Sequence, residues 1–192
     1  LVKAKDMSRS DTLFLSGAGE VTQDWDCLAT YLADQGITLN LDPAPRQFSS
    51  GFGNLNYLIS VDGQLRVLRR PPMGSVQPGS NDMGRESRIL MRLWKAFPLA
   101  PRCHHFCNDP SILGAHFFIM EYRRGMVIGG TMPDGLPANA GLGLGRMLAE
   151  QLAAFHAVDP AAVDLDTLGN TNGYLARTLT GWTKRAITAW GR

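Results

Sequence analysis

Hydrophobic and polar positions alternate along this chain in short blocks of recognisable period. In "DWDCLATYLADQG", Trp25, Leu28 and Leu32, with Ala29 beside them, recur at helical spacing and predict one amphipathic helix. Asp24 precedes the block as a cap and Gly36 follows as a stop. Pro43 and Pro45 read as a linker. "NYLISV" and "QLRVLR" are β-rich runs on either side of Asp62-Gly63, a pair that tolerates positive φ at both positions and predicts a two-residue hairpin turn. "RRPPMGSVQPGSND" cannot continue a central strand. Asp82 then caps a helix over "MGRESRILMRLWKAF", which Pro98 stops. "PRCHHFC" and "HFFIMEY" predict two more strands around the turn-rich "NDPSILGA". After the glycine-rich connector "RRGMVIGGTMPDGLPANAGLG" the period is helical only. Leu144, Met147, Leu148, Leu152 and Phe155 line one side of "GRMLAEQLAAFHAV", and the tail "YLARTLTGWTKRAITAWGR" reads as a last helix. The order predicts an α+β layout: a small, mostly antiparallel sheet carrying one helix, then an α-helical part. Residues 1–23 read as a loose leader, 24–124 as a sheet-bearing lobe, and 125–192 as a connector with the first helices of a second lobe.

Composition narrows the class. A length of 192 residues supports one domain or two small lobes, and 44% hydrophobic with 19% charged residues is globular rather than disordered. The net charge of +2 carries no basic stripe, so nucleic acid is not an expected partner. No apolar run reaches membrane-spanning length, and the amino-terminal residues are polar; Met7 is a candidate native start. Cys27, Cys103 and Cys107 show no framework spacing and fit a reducing, cytoplasmic compartment. Lysine is scarce: Lys3, Lys5, Lys95 and Lys184 stand against fifteen arginines.

The chemistry concentrates in "QFSSGFGNLNYLISVDGQLRVLRRPP". Ser49, Ser50, Gly51, Gly53 and Asn54 form a glycine-bearing turn that lets backbone N–H groups approach a phosphate. The run lacks the third glycine and following helix of a dinucleotide fingerprint, and it lacks the Gly-Lys-Ser/Thr of a Walker loop; alone, a plain hairpin tip also accounts for it. Strand alternation puts Leu65, Val67 and Arg69 on one face and Arg66, Leu68 and Arg70 on the other. An apolar residue two before a cation, under a glycine turn, suits a purine and its phosphates. Glu86 shares a helix face with Ile89, Leu90, Leu93 and Phe97. A carboxylate there requires a partner, for which Arg69 is the candidate, or else sits solvated at the edge of the stripe.

Three other features read as structural. His156 lies in "AAFHAVDP", where Ala and Val follow it, and reads as a helix-end side chain. Alternation in "CHHFC" puts Cys103, His105 and Cys107 on one face and His104 on the other, with no second ligand cluster elsewhere, so a metal site is not expected. "GLGLG" has no strand before it and is not a cofactor loop.

The ordered segments "QFSSGFGNLNYLI", "RVLRRPP", "GRESRIL", "APRCHHFCNDPSILGAHFFIMEYRRG" and "LAEQLAAFHAVDP" together resemble the amino-terminal half of aminoglycoside-phosphotransferase-like kinases. They are most similar to the branch found beside, or fused to, acyl-CoA dehydrogenases. The resemblance spans about residues 24–190. It implies a protein-kinase-like fold and ATP- and Mg²⁺-dependent transfer of phosphate to the hydroxyl of a small molecule, a hydroxyacyl compound being one candidate. Ser50, Gly51, Gly53 and Asn54 match the nucleotide loop, and Val67 lies on the nucleotide face. Arg69 falls at the superfamily's phosphate-binding lysine, Glu86 at its helix partner and Met120 at the gatekeeper. Glu121, through its carbonyl, and Arg123, through its N–H, match the hinge positions that bind adenine. The family's catalytic loop, opening His-Gly-Asp, and its metal-binding Asp follow the tail helices, so base and metal ligands are expected beyond Arg192 and no catalytic residue within the chain. A chain of this extent is expected to self-associate, or to be one part of a larger molecule. The alternative reading is a non-catalytic nucleotide-binding or interaction module.

Overall fold

The computed structural model describes residues 13–17, 19–51, 53–74, 81–128, 131–133, 135–137, 139–169 and 172–191. The first twelve residues of the expected leader, Phe52 in the glycine turn and residues 75–80 of the Pro/Gly/Ser loop lie outside the described residues. The chain divides into two compact units, Leu1–Val158 and Asp159–Arg192.

The first unit is built on an antiparallel sheet of six strands: β1 (Leu39–Asn40), β2 (Arg46–Gln47), β3 (Leu55–Val61), β4 (Gln64–Arg70), β5 (Cys103–Cys107) and β6 (Phe117–Glu121). The spatial order is β1-β3-β4-β6-β5, with β2 also on β3. Its helices are α1 (Trp25–Asp34), α2 (Met83–Leu93), the one-turn α3 (Pro110–Leu113) and α4 (Ala140–His156). The central hairpin forms as its turn residues predict. Asp62 and Gly63 take φ of 50° and 72°, and the ladder runs from Val61↔Gln64 to Leu55↔Arg70 without a slip. The Asp62 carboxylate also accepts the Thr38 N–H at 2.9 Å. The stretch expected as a linker is an edge strand in two pieces. Both β1 and β2 pair with β3, and Pro43 and Pro45 separate them because proline cannot donate to a ladder.

Both faces of the sheet are covered. On one, Tyr57, Ile59, Leu68, Phe117 and Ile119 pack with Leu28 and Leu32 of α1, all almost fully buried. Asp24 caps that helix by accepting the Cys27 N–H at 2.9 Å. On the other, Met83 of α2 meets Cys103 and Phe118, with Leu90, Phe106 and Met120 around them. Each such burial contributes roughly 1.5–3 kcal/mol.

Two expectations are corrected. The described part of the leader is tied down rather than loose. Leu15 N–H donates to Gln47 O at 2.9 Å, Ser49 N–H donates to Leu13 O at 3.0 Å, and the Phe14 ring lies 4.9 Å from Phe48. The segment bridges to an edge instead of forming a regular element, so it leaves no period in the sequence. The second correction concerns β5. A bulge between Cys103 and His105 breaks the alternation. Cys103 therefore joins the α2-side cluster and Cys107 the α1-side cluster, while His105 bonds Tyr31 Oη at 3.0 Å; the three do not share a face.

Arg70 is 2% exposed. Its Nη1 donates to Gln23 Oε1 and Leu113 O, and its Nε to Pro71 O at 3.2 Å. The network continues from Gln23 Nε2 to Tyr57 Oη at 2.8 Å and from Tyr57 Oη to Val21 O at 2.6 Å. Among the described residues, a buried guanidinium is thus held by neutral acceptors alone, and it ties β4 to the leader and to α3.

Along α4, Met147, Leu148, Leu152 and Phe155 are exposed, and His156 sits in the last turn. The second unit holds two 3-10 turns, Ala161–Val163 and Asp166–Leu168, and the helix α5 (Tyr174–Trp190), whose Leu175, Leu179 and Trp182 are exposed. No helix among the described residues is long and apolar enough to cross a membrane.

Two outcomes follow for stability. Arg70→Ala strands three buried acceptors and is expected to lower the unfolding free energy by about 2–4 kcal/mol, whereas Arg66→Ala is expected to change it by about 0.5 kcal/mol or less; urea titrations of the two variants check the contrast. Burial pushes the Cys103 thiol up from 9.0 to about 12. The folded state therefore holds that proton more tightly than the unfolded chain. The resulting stability is whole below pH 9 and is lost as pH rises toward 12. Unfolding midpoints measured across that window should fall, and fall less steeply in Cys103→Ala.

Candidate functional site

Arg69 projects from β4 on the α2 face and is held on three sides. Its Nε lies 2.8 Å from Glu86 Oε1. Its Nη1 donates to Asn56 Oδ1 at 3.1 Å. With the Asn54 amide oxygen turned toward it, Nη2 donates there at 2.8 Å, while the Asn54 nitrogen donates to Gly53 O at 2.9 Å. The Nε–H is not aimed at the carboxylate, so the Glu86 contact is one of charge rather than an aligned hydrogen bond. The side chains of Arg69 and Glu86 are 25% and 35% exposed. An ion pair so solvated stabilises by about 1 kcal/mol or less. What it supplies is placement: a planar cation held between the glycine turn and α2.

Helix α2 delivers Glu86 because its flanks are fixed. Asp82 accepts the Arg85 N–H at 2.9 Å, and Met83 and Ser87 are buried against the sheet. Ser87 Oγ donates to Gly84 O at 3.0 Å. A Cβ at Gly84 would stand 3.4 Å from the Phe106 ring, an ordinary packing distance, so this turn of α2 lies directly against that ring. Glu86 is next to buried Ser87, at the border of the stripe, where it is both partly solvated and paired.

The other residues singled out from the sequence fall around this pair. Ser50 is exposed in the turn. Gly51 takes φ of 105°, with the space for a Cβ lying 3.6 Å from Asn56 Nδ2, while Gly53 is not left-handed and has open space around it. Only the first of the two requires glycine. Val67 is 8% exposed and pairs with Met120 across the ladder, as Arg69 pairs with Phe118. Val67, Arg69 and Met120 therefore share the α2 face.

Glu121 and Arg123 have side-chain roles that the sequence did not indicate. Glu121 Oε2 accepts from Arg123 Nη2 at 2.9 Å and from Arg102 N–H at 3.2 Å. Arg123 Nη2 also donates to Pro98 O at 2.8 Å. Together they staple the end of β6 to the segment following α2. Asn56 was also missed, although its signal was present: counting outward from the Asp62-Gly63 turn places it opposite Arg69.

This arrangement can receive and orient an anionic group. Among the described residues no group of three or more His, Cys, Asp or Glu side chains is placed to hold a metal ion.

Comparison with known proteins supplies the family. Residues 45–190 match the model of a phosphotransferase enzyme family. Mouse acyl-CoA dehydrogenase family member 10 is 32% identical over 139 residues, which is 72% of this chain and 13% of that protein. Mouse acyl-CoA dehydrogenase family member 11 is 31% identical over 140 residues, again 72% of this chain and 18% of that protein. A crystal structure from Ralstonia eutropha, assigned as an aminoglycoside phosphotransferase, superposes with a TM-score of 0.64 at 25% identity, over 85% of this chain and 47% of that one. The chain thus spans about half of the solved structure and under a fifth of these two mouse relatives. The curled antiparallel sheet with its flanking helices is the α+β, kinase-like fold of the aminoglycoside phosphotransferases.

Arg69→Ala and Glu86→Ala are each expected to lower the unfolding free energy by about 1 kcal/mol or less, with a coupling energy of about 0.5 kcal/mol in the double-mutant cycle. A coupling several times larger, measured by urea unfolding, would contradict the solvated geometry described above.

Proposed function

Because this chain belongs to the phosphotransferase enzyme family, we propose that its first unit binds ATP for transfer of a phosphoryl group to the hydroxyl of a small molecule. The observation that carries this reading is the Arg69–Glu86 pair set under a glycine-bearing turn, with Asn54 and Asn56 orienting the guanidinium. The fit is chemical: a fixed planar cation and a turn with backbone close to open space suit a polyphosphate. Bound ATP supplies the phosphoryl group. Arg69 neutralises phosphate charge, and as an arginine it keeps both its charge and its fork whatever the local burial. Ser50, Gly51, Gly53 and Asn54 line the phosphates. Val67 and Met120 form apolar walls for the base, with the Glu121 carbonyl and Arg123 N–H at the adenine edge. Glu86 holds Arg69 in place and does not touch the nucleotide.

The reading assigns neither a general base nor Mg²⁺ ligands among the residues of this chain, and no step here runs through a metal. A hydroxyacyl acceptor is favoured by the similarity to acyl-CoA dehydrogenase family members. A reducing, cytoplasmic setting fits the three free thiols.

Calorimetric titration of the full chain with ATP tests the reading. Arg69→Ala should weaken binding about 10- to 100-fold, the worth of hydrogen bonds to a charged group. Gly51→Val should weaken it through its left-handed φ and its bulk, and Gly53→Val should weaken it less. Affinity unchanged in both Arg69→Ala and Gly51→Val, with circular dichroism showing the fold intact, would overturn the assignment.

A further inference from the structure

The face of the sheet opposite Arg69 carries a second concentration of charge that the phosphotransferase reading does not use. Arg66 and Glu121 pair across β4 and β6 and, by strand alternation, project away from Val67, Arg69 and Met120. They line a cleft of about 370 Å³ together with Trp94, Arg102, His104 and Arg123, a volume in the range of small-ligand sites. A smaller cleft beside it shares Arg66 and His104.

The charges in this cleft do not balance. Three guanidinium groups face one carboxylate, and that carboxylate is committed. Glu121 accepts from Arg123 Nη2 and from the Arg102 backbone N–H. Arg66, directly across the ladder from Glu121, instead donates Nη2 to Gln64 Oε1 at 2.7 Å and Nη1 to Leu65 O at 3.4 Å. The Arg102 guanidinium lies 4.8 Å from the centre of the Trp94 ring. Among the described residues, then, two cations on one concave surface are held by neutral partners and an aromatic face. Neutral partners fix a guanidinium in orientation without cancelling its charge, which is the preorganisation an anion site needs. His104 reports the same field, its imidazole pKa lowered by burial and then by Arg66 and Arg102.

We propose that this cleft binds a small multivalent oxyanion, a phosphate ester or a polycarboxylate, with Arg66 and Arg102 as its charged contacts and the Trp94 ring as an apolar wall. The site shares Glu121 and Arg123 with the proposed adenine edge, where those two act through their backbone, but its charged contacts, Arg66 and Arg102, are not part of the proposed ATP site.

Inorganic pyrophosphate and tricarballylate serve as probes, titrated by calorimetry into the full chain, into Arg69→Ala and into the Arg66→Gln/Arg102→Gln double variant. Binding should survive in Arg69→Ala and weaken at least tenfold in the double variant, and the better of the two probes distinguishes a phosphate from a carboxylate ligand. In parallel, the Trp94 indole N–H, which donates to Met91 O at 3.0 Å, should show a saturable shift in ¹⁵N-resolved NMR of the unaltered chain. That measurement stands even if the double variant fails to fold. Binding lost in Arg69→Ala and kept in the double variant would assign the anion to the other face and overturn the proposal. So would weak, salt-sensitive heats equal in all three proteins, or a Trp94 signal unmoved at saturating probe.

Discussion

A two-residue turn leaves an antiparallel pair no freedom of register. Once Asp62 and Gly63 adopt left-handed φ, every residue of β3 has one partner on β4. A shift by one residue would turn Leu68 to the other face and bring Arg69 out from beneath the glycine turn. The positions of Asn56, of Val67 opposite Met120 and of Arg66 opposite Glu121 all descend from that one turn.

The two successive arginines show what the alternation accomplishes. Arg69 and Arg70 are adjacent in sequence and perform unrelated tasks because the pleat sends them to opposite faces. Arg69 is partly solvated, held by a carboxylate and two amides, and keeps an edge open to a ligand. Arg70 is buried among carbonyls and an amide, where its charge is costly and its removal costlier. One is placed for binding and the other welds the leader to the sheet.

Around that hairpin the remaining elements act as positioning devices. Helix α2 is anchored on the sheet by its buried Met83 and Ser87, which brings Glu86 within reach of Arg69. The Glu121–Arg123 staple joins the end of β6 to the segment after α2. The same staple consumes the one carboxylate in the opposite cleft and leaves Arg66 and Arg102 with neutral partners. A contact that orders one face thereby sets the electrostatics of the other.

Local chemistry was legible in the sequence wherever it is governed by neighbours in the chain. The Asp24 and Asp82 caps, the Asp62-Gly63 turn, the alternation through Arg70 and the apolar stripes of α1 and α4 follow from φ preferences and periodicity. The same patterns made Arg69 a candidate partner for Glu86 but left a solvated Glu86 equally open, and the fold brings the two together. What the sequence left open depends on groups far apart in the chain. The β5 bulge, which separates Cys103 from Cys107, answers to the register of β6. The docking of residues 13–15 answers to an unfilled strand edge. The burial of Arg70 answers to acceptors at Gln23 and Leu113. No period records such contacts, because a single bridge or a single buried hydrogen bond needs one residue in one place, and only the folded chain brings its partner there.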